Sequence, residues 1–402
     1  MMRMIVCLLG IPWTLYPAAS LCAQSPEPIR TVWRRPIGGA QCLAIAPDGG
    51  RCALVTWRGE LFCWSRGRLS WRRVVPGAEQ VLLGVDGRAV VYTPLDALRR
   101  NLLVLDDRGR ISDRCTIGGP ITAVALSPDG RTAAAGTAGG RIEIHPLIHP
   151  LGRRSPVSRA AVRGAVQQLY YDSSGSLVAA TTGPAWLVAL TAAGAVRWRH
   201  PAPPGCEFRL GVPPRGEGGG GLTVAAVVAG DAESPGGDPV SDLGQPGRTP
   251  AAEQDRIEIV AYSAAGKPVW RQRLAGRDPH LGMMAASGSV VLAYERTDRR
   301  GLVLRYARAL ACFGSDGAPR WQHGDRVYDP LLVCASPRGD AILSLCAGNR
   351  FWLLSGRGQP LWSYTTGAPI RMACASADGT AVAVATSDGY LSLLKISPRG
   401  RG

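Results

Sequence analysis

Glycine recurs along this chain at a spacing that limits how much structure can lie between one copy and the next. Gly49, Gly87, Gly130, Gly175, Gly216, Gly288, Gly339 and Gly379 stand 38, 43, 45, 41, 72, 51 and 40 residues apart. Most of these intervals fit four short strands with their turns, which take roughly 40–50 residues. The two long ones contain insertions. Asp precedes Gly at Asp48-Gly49, Asp86-Gly87, Asp129-Gly130 and Asp378-Gly379. Glycine carries no steric penalty at positive φ, and Asp tolerates it and bonds its own backbone.

A second marker, Gly-x-x-x-Trp, runs in register with the first. It occurs as Gly67…Trp71, Gly194…Trp198, Gly266…Trp270, Gly317…Trp321 and Gly358…Trp362, with a sixth copy, Gly109…Asp113, that lacks the aromatic. The glycine suits the left-handed position of a short hairpin. The tryptophan then falls at the same place on each fourth strand, where its size suits the wedge between neighbouring sheets. The clearest unit is Leu331–Trp362. There the apolar runs Leu331–Ser336, Ala341–Cys346 and Phe351–Leu354 and a strand around Trp362 are separated by Gly-containing turns. Small residues recur at one place on the first strands (Ala44, Ala125, Cys334, Cys374), as the taper near a central axis requires.

The pattern of apolar strand, Ser/Thr/Asp-x-x-Gly, three residues and Trp resembles the pyrroloquinoline-quinone-like propeller repeat. Leu126-Ser127-Pro128-Asp129-Gly130-Arg131 and Ile45-Ala46-Pro47-Asp48-Gly49 are similar to the WD-type first hairpin. The resemblance spans residues 31–397. It implies an all-β chain, an eight-bladed β-propeller of four-stranded antiparallel blades. Thr31-Val32-Trp33-Arg34-Arg35 is similar to Ser70-Trp71-Arg72-Arg73, a fourth strand with no strands before it, while the last repeat (Ile370–Ile396) ends after three. Joining the two closes the ring and removes a sheet edge. Trp33 is thus expected on the outer strand of the last blade.

Residues 1–23 read as a signal peptide, with Arg3, the apolar run Ile5–Leu15 and small residues before Gln24. The run is too short to span a bilayer, which needs about 20 residues. A lipid anchor on Cys22 is not expected, because Ala19 stands where the acylation motif carries Leu. Residues 24–30 read as a linker and 398–402 as a frayed tail. Blade three has a degenerate fourth strand near Ser158–Val162, and blade six a basic loop at Arg296–Arg300. Residues 230–255 form an insertion in blade five. They are rich in Gly, Pro and Ser, with six carboxylates against Arg248 alone, a composition expected to stay disordered.

The formal charge is +16, and all the basic residues but Lys267 and Lys395 are arginines. Such a field attracts polyanions. The arginines are dispersed, however, and Arg34, Arg72, Arg199 and Arg271 follow the Trp on outer strands, where charge blocks edge-to-edge aggregation. No Cys-x-x-Cys or zinc spacing occurs among the 11 cysteines. Cys42, Cys52 and Cys63 fall on successive strands of blade one, either as a disulfide with a spare thiol or as buried thiols.

His145 and His149 are four apart, but each precedes a proline, so no helix presents them as a metal pair. Gly216-Glu217-Gly218…Gly221 has no helix after it, so it reads as a turn and not as a nucleotide site. Ser392…Lys395 point to opposite sides of a strand. No catalytic, cofactor or metal residues are assigned. The quinone enzymes with similar repeats are longer and carry a vicinal cysteine pair and a calcium site, neither recognisable here.

The expectation is an exported, monomeric, non-catalytic propeller whose partner is another protein. It resembles the envelope propeller lipoproteins of the outer-membrane assembly machinery in length and blade count and departs from them in lacking the lipid-attachment motif. Two alternatives stand beside it: a small enzyme or sensor holding a cofactor, metal or sugar in the central funnel, and a polyanion-binding propeller using the dispersed arginines.

Overall fold

The computed structural model describes residues 29–46, 48–84, 86–94, 99–127, 129–147, 158–172, 175–211, 223–229, 256–284, 289–300, 303–324, 330–335, 341–346, 349–376 and 380–396. The expected signal peptide, insertion and tail, together with Gly216, Gly288, Gly339, Gly379 and His149, lie outside the described residues.

The described chain is all β. Strand β1 (Ile29–Pro36) comes first. Then β2 (Cys42–Ile45), β3 (Arg51–Val55), β4 (Glu60–Ser65) and β5 (Arg68–Val74) form an antiparallel sheet in sequence order. The same order repeats in β6 (Gln80–Leu83), β7 (Ala89–Pro94), β8 (Arg99–Leu105) and β9 (Ile111–Gly118), and in β10 (Ile121–Leu126), β11 (Thr132–Thr137), β12 (Arg141–Pro146) and β13 (Ser158–Ala161). A fourth sheet comprises β14 (Ala165–Tyr171), β15 (Leu177–Thr182), β16 (Trp186–Leu190) and β17 (Val196–Pro201). Many of these strands end at turns where glycine takes a positive φ, as at Gly49, Gly59, Gly109 and Gly140, so turn chemistry cuts the chain into strands of this length.

The next seven strands are hydrogen-bonded into one sheet: β18 (Cys206–Leu210), β19 (Thr223–Ala229), β20 (Arg256–Tyr262), β21 (Pro268–Met284), β22 (Ser289–Arg300), β23 (Val303–Phe313) and β24 (Pro319–His323). Two separate sheets were expected here. They merge because β21 runs without a break from one to the other: its half up to Ala275 pairs with β20, and its half from Gly276 pairs with β22. The basic loop expected at Arg296–Arg300 is also strand, paired with β23 out to Arg300↔Val303. Strands β25 (Pro330–Ala335), β26 (Ala341–Cys346), β27 (Arg350–Ser355) and β28 (Pro360–Thr365) make another four-stranded sheet. Last come β29 (Ile370–Ala375), β30 (Ala381–Thr386) and β31 (Tyr390–Ile396), whose fourth strand is β1.

Trp33 pairs with Leu393 in this last sheet, and the strand starts at Ile29, opposite Ile396, so two residues read as linker are strand. The edge that β31 would expose is covered by chain from the other end, which removes a site for aberrant pairing.

Apolar cores lie between successive four-stranded units, and one of them falls between the two halves of the seven-stranded sheet. Trp33, Ile45, Leu54, Trp64, Ala383 and Leu391 join the last sheet to the first. Val55, Leu61, Trp71, Leu83 and Val91 join the first to the second, and equivalent clusters follow at each later junction. First strands stay close to second strands through small pairs: Ala44↔Ala53, Ala125↔Ala134 and Cys374↔Ala383. Their free inner edges are bridged to the next sheet. The Thr122 hydroxyl donates to the Val166 carbonyl, and the Leu210 amide donates to Gln168 Oε1 at 2.6 Å.

Candidate functional site

Each third-to-fourth-strand hairpin with a Gly-x-x-x-Trp sequence has a one-residue register shift just before the tryptophan. The glycines Gly67, Gly194, Gly266, Gly317 and Gly358 have φ between 77° and 82°. A left-handed glycine followed by a bulge is the expected geometry for such a hairpin. It leaves Trp71, Trp198, Trp270, Trp321 and Trp362 opposite Cys63, Ala189, Ala261, Cys312 and Leu353.

The glycine has a second role that spacing alone did not reveal. The tryptophan of one sheet lies on the turn glycine of the next: Trp33 on Gly67, Trp71 on Gly109, Trp198 on Gly266, Trp270 on Gly317 and Trp321 on Gly358. A Cβ at Gly109 would come within 2.6 Å of the Trp71 ring, and one at Gly317 within 2.7 Å of Trp270. Two residues beyond the tryptophan, a polar side chain donates to that same glycine's carbonyl. Arg73 reaches Gly109 at 3.0 Å, His200 reaches Gly266 at 2.7 Å, Gln272 reaches Gly317 at 2.9 Å and His323 reaches Gly358 at 2.7 Å. The pattern Trp-x-Arg/His/Gln was readable in the sequence as Trp71…Arg73, Trp198…His200, Trp270…Gln272 and Trp321…His323. Trp362 is packed instead by Phe351 and Tyr364, since the last sheet takes its fourth strand from β1 and has no such hairpin. Gly194 meets only the backbone of Arg159 and the Ser158 side chain, because β13 carries no aromatic.

The junction of second and third sheets breaks the pattern. Asp113 holds the tryptophan register position, opposite Val104, and Cys115 holds the position two beyond it. Facing them is a buried polar cluster. Glu143 is 2% exposed, and His145 Nε2 lies 3.4 Å from its carboxylate. Arg159 Nε and Arg141 Nη1 approach Glu143 at 3.6 and 3.7 Å. His145 Nε2 is buried without a hydrogen bond. Burial pushes the His145 pKa below the usual histidine value, against the raising pull of Glu143 and Asp113. Burial pushes the Cys115 thiol up to about 12, with Asp113 and Glu143 adding to it. Among the described residues no three His, Cys, Asp or Glu side chains are arranged to hold a metal.

Cys42, Cys52 and Cys63 are separate thiols. Cys52 faces the last-to-first core and Cys63 the first-to-second core, so neighbouring strands turn these two away from each other. Desolvation raises both thiols, Cys63 to about 11, which removes them as nucleophiles at neutral pH. Several outer-strand arginines are held by carboxylates of their own sheets: Arg34 by Asp388, Arg72 by Glu60 and Arg271 by Glu258. Arg199 lies over the Trp186 ring.

Trp57 is the exposed aromatic of the described surface, 65% accessible, on the turn between β3 and β4. Its indole lies over Gly39 in the connection from β1 to β2. The turn beneath it is fixed. Gly59 donates to the Thr56 carbonyl, the Glu60 amide donates to the Thr56 hydroxyl, and the Val75 amide donates to the Gly59 carbonyl at 2.8 Å. Connections between sheets repeat this bond at Ile37→Gly389, Val162→Gly140 and Thr366→Asn349. A large ring held out on a rigid backbone is suited to binding, since little order is lost on contact.

No protein-family model matches the chain, and no curated protein matches it in sequence. Solved structures do match over nearly its full length. The Dos1 propeller aligns with a TM-score of 0.63 at 13% identity, covering 92% of this chain and 96% of that one. The C-terminal WD40 domain of Sif2 aligns at 0.65 and 9% identity, covering 92% and 99%. The β-propeller domain of Cps50 (Swd1) from Myceliophteria thermophila aligns at 0.51 and 11% identity, covering 92% and 100%. With its repeated antiparallel four-stranded sheets and the cores between them, the chain has the β-propeller fold.

Proposed function

We propose that this chain is an exported, eight-bladed, ring-closed propeller that acts as a non-catalytic protein-interaction scaffold of the cell envelope. The divided register of β21 supports counting the seven-stranded sheet as two blades. The pairing of β1 with β31 supports closure, as does the core shared by the last and first sheets. Export rests on residues 1–23, with their single early arginine and short apolar run.

The observation that carries the scaffold reading is Trp57, an exposed indole on a turn locked to its own sheet. Interface hot spots are enriched in tryptophan on pre-ordered backbone. Cys52 and Cys63 are buried thiols, and desolvation raises them and the half-buried Cys115 alike, so none is activated, which fits a framework. The test is a pull-down of the mature chain from its native envelope fraction, with N-terminal sequencing of the recovered protein. The reading expects a start near Gln24 and a stoichiometric protein partner that is lost with Trp57→Ser. An uncleaved N-terminus, or turnover of a small substrate by the purified chain, contradicts it.

A further inference from the structure

The end of the sheets that carries Trp57 presents exposed arginines that no described carboxylate holds, and this deepens the scaffold reading, on which it rests. In an antiparallel four-stranded sheet, the second-to-third-strand turn and the connection to the next sheet lie at one end. The other two turns lie at the opposite end. Asp48, Asp86, Asp106, Asp129, Asp172 and Asp316 all occupy turns of the opposite end. They are there because Asp closes those hairpins, accepting amides two or four residues on, as Asp86 does from Arg88 and Asp129 from Arg131. The same carboxylates take up arginines: Arg88 on Asp86, Arg110 on Asp106, Arg131 on Asp129 and Arg320 on Asp316.

Among the described residues the end that carries Trp57 has fewer turn carboxylates, Glu60, Glu79 and Asp388, and the six carboxylates of residues 230–255 lie outside the described residues. Asp388 and Glu60 are held by Arg34 and Arg72. Arg35, Arg58, Arg163, Arg256, Arg350 and Arg371 sit at this end, exposed, and pair with no carboxylate among the described residues. They come from the first, third and last sheets and from β20 and β27, so they are spread round the face and not strung along one groove. Residues 230–255 join β19 to β20 at this end and lie outside the described residues.

We infer that the Trp57 end is the docking face and that its partner is an acidic segment of another protein, with an apolar side chain seated on Trp57 and carboxylates on Arg58 and Arg371. Arginines that no described carboxylate holds, set around an aromatic anchor, give both steering and a buried contact. Dispersed arginines match separated carboxylates on a folded or extended polypeptide better than the close, regular phosphates of a nucleic acid.

The experiment measures binding of the full-length mature chain to a labelled synthetic peptide of Glu, Asp and Leu by fluorescence anisotropy. A single-stranded oligonucleotide is run in parallel. Arg58→Glu with Arg371→Glu is compared with Arg108→Glu plus Arg357→Glu, which makes the same charge change in third-to-fourth-strand turns at the opposite end. The expected result is peptide binding weakened by about tenfold or more in the first variant, unchanged in the second, and weakened again by Trp57→Ser. Equal loss in both charge variants would mean net charge alone acts, and would overturn the assignment. So would absence of peptide binding, or oligonucleotide binding tighter than that of the peptide. A pull-down in which Trp57→Ser loses the partner while Arg58→Glu with Arg371→Glu retains it leaves the scaffold reading standing and removes the acidic partner from this face.

Discussion

The indole of Trp321 lies flat on Gly358, a residue of the following sheet, and its Nε1 donates to the Gly356 carbonyl at 3.1 Å. A Cβ at Gly358 would come within 2.6 Å of the ring, and φ there is +78°. The glycine thus meets two demands, a left-handed turn and an aromatic neighbour against its backbone. Gly358→Ala is expected to cost about 2–4 kcal/mol, combining the backbone penalty with overpacking. Gly175→Ala is the control: φ is +78° there with nothing within 4 Å, so only the backbone penalty of about 1–2 kcal/mol is expected. Denaturant midpoints separate the two, and Trp321→Ala should relieve part of the Gly358→Ala defect.

His323 reaches the same glycine from two residues beyond the tryptophan. A carbonyl only accepts, so His323 Nε2 carries the proton. His323→Ala is expected to destabilise by about 1 kcal/mol through the lost hydrogen bond. His323→Gln should recover most of it, because Gln272 makes the equivalent bond to Gly317. Equal loss in both variants would show that the bond is not what holds this position.

His145 gives the chain an acid-sensitive junction. Burial lowers its pKa in the folded state, so the unfolded chain binds a proton that the folded chain does not, between that lowered value and about 6.5. Stability therefore falls as pH drops through this window, by up to about 1.4 kcal/mol per pH unit. Denaturation series from pH 7.5 to about 5 should show a steeper loss for the native chain than for His145→Gln. Matching slopes would remove His145 as the cause.

Cys52 and Cys63 should resist thiol reagents in the folded state. Single-cysteine variants at these positions are expected to react with an aromatic disulfide reagent only at the rate of unfolding, since both are buried with raised pKa values. Rapid labelling of Cys63 in the native chain would contradict the packing of the first-to-second core.

The repeat of short strands, the placement of Trp33 on the outer strand of the last sheet and the break at Asp113 were legible in the sequence, because glycine at positive φ and a large aromatic leave fixed spacings, whereas the strand character of Ile29–Arg30 and Arg296–Arg300 was not. The merging of two sheets through β21 was not. Its cause is a missing turn between Ala275 and Gly276, and an uninterrupted extended segment carries no punctuation to read. The clamp on the turn glycines was half visible. Glycine's need for φ > 0 already explained its recurrence, which hid the contact made from the preceding sheet. Glu143 and His145 were not legible as a pair, since alternate residues on one strand share a face with whatever the neighbouring sheet brings to it.

The central claim is that consecutive four-stranded sheets follow one another round a ring, with Trp33, Trp71, Trp198, Trp270 and Trp321 each seated on the next turn glycine. A crystal structure of the mature chain measures this most directly. The account predicts eight such sheets, Ile29–Pro36 paired to Tyr390–Ile396, and Trp33 resting on Gly67. Seven or nine sheets, or an open arc with the first strand docked elsewhere, would contradict it.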